Sequence, residues 1–321
     1  ARRRRAARIA AAPRGGKPII VVADYAVPHY DRNTGSRNVY HYLKLFKRMG
    51  LDVKMIGADG IRHEPYTSEL ERQGIEVLNG QMRGNEFTAW LKRHKRDVRY
   101  AYLLRPHVAG AYLDPIRRHT RAKIIYNGVD FHYLRELRRY ELDGAPQTLA
   151  SANRFREEEF ALFAKSDVVY TVSEYEKALL EQQMPGKRVV AVPTYIYEEP
   201  IPLGEPIGFA ERSGIVFVGN FSHQPNADGI LWFMQEIMPL IRLQVPDATL
   251  TVIGSNPPPA VAEQESERVR MAGFVPDEEL RAVYARSRVI VVPLRYGAGV
   301  KGKLIEACAH GVPAVTTPIG A

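Results

Sequence analysis

Cysteine is nearly missing from this chain. Cys308 is the only one in 321 residues, so no internal disulfide can form, which fits a reducing compartment and a cytoplasmic protein. No run of about 18 apolar residues occurs, so no segment reads as a membrane-spanning helix. No cluster of His, Cys, Asp and Glu has metal-ligand spacing, and no metal is expected. No short internal repeat is seen, and no low-complexity tract beyond the N-terminal tail. That tail, "ARRRRAARIAAAPRGG", holds six arginines and no acid. The net charge is +9, so the rest of the chain carries only +3 and is mildly basic. The tail, residues 1–16, reads either as a solvated, disordered leader or as a contact with anionic lipid headgroups at the inner face of a membrane. No reading motif accompanies the charge, so nucleic acid is not an expected partner. The apolar part, "IAAA", is too short for a secretory signal. The chain begins with Ala rather than Met, as a fragment or trimmed product would.

The length suffices for two α/β domains. Charged residues at 25% and hydrophobic residues at 45% are ordinary for a globular protein. Strands are expected over Lys17–Asp24, Asp52–Gly57, Arg99–Arg105, Ala122–Gly128 and Ser166–Ser173, with helical segments between them. In the first helix, Gly35–Gly50, the residues Val39, Tyr42, Leu43, Phe46 and Met49 recur at helical spacing. Such alternation implies a doubly wound parallel sheet. Residues 193–214 are rich in Pro and Gly and read as a linker. The alternation then restarts: strands at 215–220, 248–254 and 288–294, one helix over 226–244, and another at 277–287. The expected domains are 17–192 and 215–321.

The segment "VVPLRYGAGVKGKLIEACAHGVPAVTTPIGA" (Val291–Ala321) is the most informative. It reads as a buried strand, a glycine loop, a helix from about Val300, and a second buried strand. Gly297, Gly299 and Gly302 let backbone approach a ligand without a Cβ. The helix start offers free N–H groups to an anion. Lys303 adds a cation for phosphate, and Glu306 lies one turn deeper on the same face, where it can accept hydrogen bonds from a ribose diol. Together they suit a nucleoside diphosphate. Lys–Glu at this spacing is equally an ordinary surface salt bridge.

With "GAGVKGKLIEACAHGVPAVTT" in view, the chain resembles the retaining glycosyltransferases of the GT-B fold, in the group-1 (family four) class. The resemblance covers about Lys17 to Ala321. It implies two Rossmann-like doubly wound domains facing a cleft, with 215–321 binding the nucleotide sugar and 17–192 the acceptor. It implies no cofactor, with a nucleoside-diphosphate sugar as donor, and a glycan or lipid-linked sugar as acceptor. No metal is implied either, in keeping with the lack of an Asp-x-Asp pair. By resemblance Gly297, Ala298, Gly299, Val300, Lys301, Lys303 and Glu306 line the donor site, with Lys303 on the diphosphate and Glu306 on the ribose. Many relatives carry a Glu eight residues before the ribose Glu, where this chain has Ala298. Relatives also continue beyond "VTTPIGA", so the second domain is expected to be incomplete here.

Three further stretches carry candidate residues. "YAVPHYDRNTGSRNVY" (Tyr25–Tyr40) follows the first strand, where open α/β sheets bind ligands. Thr34 or Ser36 would cap the helix there. The resemblance places Gly35 and Ser36 on the diphosphate. "YNGVDFHYLRELRRYEL" (Tyr126–Leu142) carries Asp130, His132 and Arg135. His132 reads as a general base or as a structural group. The resemblance adds a third role, holding the reacting hydroxyl in a same-face displacement. "FVGNFSHQPNADGILWF" (Phe217–Phe233) supplies Gly219, Asn220 and His223, with Asn220 where relatives often carry a basic residue. The resemblance implies polysaccharide synthesis. A nucleotide-sugar epimerase and a non-catalytic nucleotide-sugar-binding module are the alternatives.

Overall fold

The computed structural model describes residues 16–78, 82–194 and 207–321. Apart from Gly16, the arginine-rich leader lies outside the described residues, as do residues 195–206 of the expected linker.

Strand β1 (Ile19–Asp24) is buried at all six positions, as its unbroken run Ile-Ile-Val-Val-Ala requires. It pairs in parallel with β2 (Asp52–Gly57) and β4 (Val98–Leu104). With β3 (Glu76–Val77), β5 (Lys123–Asn127), β6 (Val168–Thr171) and β7 (Val189–Ala191), the order is β3-β2-β1-β4-β5-β6-β7. Helices α1 (Thr34–Arg48), α2 (Tyr66–Arg72), α3 (Gly84–Arg93), α4 (Pro106–His119), α5 (His132–Asp143), α6 (Pro146–Lys165) and α7 (Glu174–Gln183) connect these strands, with α5 and α6 in succession between β5 and β6. The apolar stripe of α1 is buried at Val39, Tyr42, Leu43 and Phe46. Met49, expected to extend it, falls beyond the helix end and is 64% exposed.

The second sheet has the order β10-β9-β8-β11-β12. Its strands are β8 (Ser213–Val218), β9 (Leu250–Ile253), β10 (Val269–Gly273), β11 (Ser287–Val292) and β12 (Ala314–Thr316), and every pair is parallel. Successive residues serve opposite faces. Val216 and Ile290 pack with Tyr284, Ala307 and Val312, whereas Phe217 and Val291 pack with Phe233, Leu250 and Val269. Both faces are therefore covered, as a doubly wound sheet demands. The covering helices are α8 (Gln224–Trp232), α9 (Met238–Gln244), α10 (Pro259–Ala262), α11 (Asp277–Arg286) and α12 (Gly302–Ala309).

Two expectations need correction here. Residues 226–244 do not form one uniform helix, because a π-helical turn, Phe233–Ile237, separates α8 from α9. Pro239 has no N–H to give to the carbonyl four residues back and its ring crowds that carbonyl, so the turn widens. The last strand is also not buried. Among the described residues β12 is an edge strand that pairs with β11, and Val315 is 61% exposed.

Contacts divide the chain into two compact units. One comprises the described residues up to Val27, with Tyr42–Asn127 and Leu162–Val169. The other comprises Pro28–His41, Gly128–Ala161 and Tyr170–Ala321. All the candidate site residues named from the sequence fall in this second unit.

Candidate functional site

The glycine turn after β11 is held from several sides. Arg138 of α5 donates to the Gly297 carbonyl at 2.6 Å. Lys301 Nζ donates to the carbonyls of Ala298 at 2.8 Å and Gly299 at 2.7 Å. Gly299 has φ +68, and an added Cβ would lie 3.0 Å from Asp130 Cβ. At Gly302 an added Cβ would lie 2.2 Å from the Thr34 side chain, so a larger residue would require Thr34 to shift. The helix itself starts at Gly302, two residues later than expected, with Lys301 as N-cap and no side-chain cap bond. Its first amides thus lack a side-chain partner, and its positive dipole end faces the turn.

Lys301, which the resemblance puts in the donor site, turns inward. Its ammonium folds back onto the turn's own carbonyls instead of reaching outward. Burial pushes its pKa down to about 8, against the charges of Asp130 and Glu176. Its effect is indirect: it occupies the carbonyl oxygens of the turn, so that amides are what the turn has left for an anion. Val300 is 36% exposed, and Ala298 is buried.

Lys303 and Glu306 each have other partners, so the surface salt-bridge reading does not describe them. Lys303 Nζ donates to Asn226 Oδ1 of α8 at 2.6 Å and lies 4.4 Å over the Phe217 ring. Burial, with the charge of Lys301, pushes its pKa down to about 7. Glu306 is buried and accepts from the Tyr284 hydroxyl at 3.2 Å. Its other oxygen lies 3.6 Å from Arg37 Nη1, and Arg37 also pairs with Asp277 at 2.8 Å. Gly219, just after β8, leaves room for this arrangement, since an added Cβ would lie 3.0 Å from Lys303 Nζ. Asn220 serves its own loop. Its Oδ1 accepts from Ser222 N–H at 2.9 Å and its carbonyl accepts from Asn226 at 2.7 Å.

A second cluster surrounds Asp130. Arg135 Nη1 donates to Asp130 Oδ2 at 2.8 Å, and His132 Nε2 lies 3.3 Å from Asp130 Oδ1. Burial disfavours charge on Asp130, but the hydrogen bond with His132 and the Arg135 guanidinium outweigh it and hold the carboxyl well below its usual range. Val129 before it has φ +72, a costly conformation for a β-branched residue. His223, the N-cap of α8, feels the same Asp130 charge. Burial pushes its pKa down to about 4, so its imidazole is neutral at pH 7. Gly35 and Ser36 lie in the first turn of α1. The cap there is Asn33, not Thr34 or Ser36, and its Oδ1 accepts the Ser36 N–H at 2.8 Å.

Sequence reading missed four contributors. Glu159 of α6 accepts the backbone N–H groups of His132 at 3.0 Å and Tyr133 at 2.9 Å, which fixes the start of α5. Burial pushes its pKa up to about 8. Glu176 of α7 accepts the Gly299 N–H at 2.7 Å, and burial pushes it up to about 7. Arg37 and Tyr284 both face Glu306. One signal was available: Ser173 and Glu176 stand at capping-box spacing. Nothing local marks these contacts of Glu159, Arg37 and Tyr284, which reach across 22 or more residues. Among the described residues no group of three His, Cys, Asp or Glu is placed to hold a metal ion, and no helix is long and apolar enough to cross a membrane.

Residues 212–321 match the family described as Glycosyl transferases group 1. The chain is 29% identical over 132 residues to an uncharacterised 44.6 kDa protein in the cps region of Klebsiella pneumoniae; the match covers 37% of this chain. It spans about a third, 34%, of that relative's length. Among solved structures, sucrose-phosphate synthase from Thermosynechococcus elongatus aligns with a TM-score of 0.68 at 19% identity, over 95% of this chain and 82% of the other. The UDP-forming alpha,alpha-trehalose-phosphate synthase of Burkholderia xenovorans, in complex with glucose-6-phosphate, aligns with a TM-score of 0.58 at 12% identity, over 93% and 84%. At such identities these likenesses speak for the fold. The sequence match is to residues 212–321, and the two doubly wound parallel sheets share the fold of these solved structures.

Proposed function

We propose that the chain transfers a sugar from a nucleoside-diphosphate sugar to a glycan or lipid-linked sugar acceptor, with retention of anomeric configuration, in polysaccharide synthesis in the cytoplasm. The observation that carries this reading is helix α12. Its uncapped N-terminus, Lys303 in its first turn and Glu306 in the next put free amides, a cation and a carboxylate on one element. The diphosphate would rest on the first amides of α12, and Lys303 would exchange Asn226 for a phosphate oxygen. Glu306 would take the ribose diol in place of its approach to Arg37, which keeps Asp277.

Charge grows on the leaving diphosphate as the glycosidic bond breaks. The helix end and Lys303 act on that charge, so they count most in the transition state. In a same-face displacement the departing oxygen takes the acceptor's proton. His132 would hold the reacting hydroxyl, with Asp130 fixing its ring and Glu159 fixing its backbone. The six arginines of the leader would add attraction to anionic lipid headgroups.

The test is nucleoside diphosphate release from a panel of UDP-, GDP- and ADP-sugars, with and without a mixture of glycan acceptors, and NMR of the product anomer. One donor should release nucleotide, faster with acceptor, and give the retained anomer. Binding without any release would return the chain to a nucleotide-sugar-binding module. Release of a 2-epimerised sugar would identify an epimerase.

A further inference from the structure

Glu176 is placed where its own helix does not need it. Ser173 caps α7 by accepting the Glu176 N–H at 3.2 Å. In a Ser-x-x-Glu start the glutamate ordinarily turns back to the amide of the cap residue. Here the carboxyl instead accepts the N–H of Gly299 at 2.7 Å and that of Phe131. The residue is 2% exposed. Burying a carboxyl is unfavourable, and an exposed cap would serve α7 without that cost. The glycine turn brings no carboxyl of its own, since position 298 is alanine. The two amides that Glu176 joins belong to the two clusters described above. Phe131 stands between Asp130 and His132, and Gly299 stands in the turn that opens α12.

We propose that Glu176 is a positioning residue for sugar transfer: it fastens the Gly299 amide to the Phe131 amide, so that the Asp130–His132 segment and the donor turn keep one register. This rests on the transferase reading. Glu176 touches neither donor nor acceptor. It acts through the backbone, by fixing where the amides ahead of α12 and the His132 ring stand relative to one another. Its acceptor oxygens matter more than its charge, because both partners are N–H groups.

Wild type, Glu176→Ala, Glu176→Gln and Glu176→Asp are compared by melting temperature, by calorimetric affinity for the bare nucleoside, and by turnover at saturating donor. Gln keeps an oxygen at the right reach but no charge. Asp keeps the charge but is one methylene short. The Ala variant should lose turnover by about 100-fold, the scale of an ångström of misplacement, with nucleoside affinity unchanged. Gln should recover to within about fivefold of wild type, and Asp should not. If Ala melts below the assay temperature, the order of Gln over Asp decides alone. Ala turnover within threefold of wild type, or Asp outperforming Gln, overturns this inference and leaves the transferase reading standing. No turnover by wild type with any donor overturns both.

Discussion

The two sheets follow one plan and end differently. In each, the first strand lies between the second and the fourth, so the chain reverses direction across the sheet between β1 and β4 and again between β8 and β11. Open α/β sheets bind ligands at that switch point. At the first, the space beyond the strand ends is spanned by an ion pair: Arg105 Nε donates to Asp24 Oδ1 at 2.7 Å, from a backbone held at φ +60. At the second, the strand ends lead into Gly219 and into the turn carrying Gly297 and Gly299, with Lys303 and Glu306 behind it. Strand order makes two equivalent places. The residues that follow the strands decide that one is bridged by side chains and the other is lined by backbone.

Four measurements can break or sharpen this contrast. The largest effect is expected at the glycines at the end of the second strand of each sheet, Gly57 closing β2 and Gly254 just after β9. A Cβ at Gly254 would lie 1.8 Å from the Gly219 carbonyl oxygen, a backbone atom that cannot step aside. A Cβ at Gly57 would meet nothing nearer than 3.2 Å. Gly254→Ala should therefore destabilise the fold by about 3 kcal/mol, and Gly57→Ala should stay within about 1 kcal/mol of wild type. Equal melting temperatures for the two would show that the loop after β8 is not held as tightly as described.

Next is His132→Ala, expected to lower turnover on a small acceptor by about 100-fold while leaving donor affinity nearly intact. Melting temperature and turnover should be read on the same preparation. A destabilised but fully active variant would make His132 a structural residue.

Glu306→Ala should weaken nucleoside diphosphate binding by about 2 kcal/mol, as loss of charge-assisted hydrogen bonds does. Asp24→Ala, at the other switch point, should leave that affinity unchanged. The comparison collapses if calorimetry finds the two variants alike.

The smallest effect is a pH dependence. Lys303, held near 7 by burial, is charged below that pH and loses its proton above it. A diphosphate favours the charged form, so binding should take up protons and weaken by about tenfold per pH unit above 7, until the raised pKa of the complex takes over. Calorimetry in buffers of different ionisation enthalpy reads the uptake directly. Uptake that persists in Lys303→Ala would assign it to another group, of which Lys301 and Glu176 are the nearest candidates.

Much of the second sheet was legible because its signals are local. Runs such as Ile-Val-Phe-Val mark strands buried on both faces, and Gly-Ala-Gly-Val-Lys-Gly-Lys marks a helix start without a side-chain cap. Lys303 and Glu306 could be placed on one helix face because helical geometry fixes three-residue spacing in advance. Spacing gives a side chain's origin and not its direction, and the inward turn of Lys301 onto the carbonyls of Ala298 and Gly299 has no local signal. Sequence reading also ran 226–244 as one helix, because the effect of Pro239 on the preceding turn depends on how that turn can be accommodated.

The amino-acid sequence by itself determined the alternation of strands and helices, the glycines at which backbone must come close, and the residues that α12 presents. These follow from interactions within a few positions along the chain. Only the tertiary structure decided the electrostatics of those residues. Asn226 sits under Lys303 from 77 positions away, Glu176 reaches Gly299 across 123, and Glu159 caps His132 from 27. Burial of an ionisable group and the choice of its partner arise when distant segments exclude water together, and no local pattern of residues encodes which segments those will be.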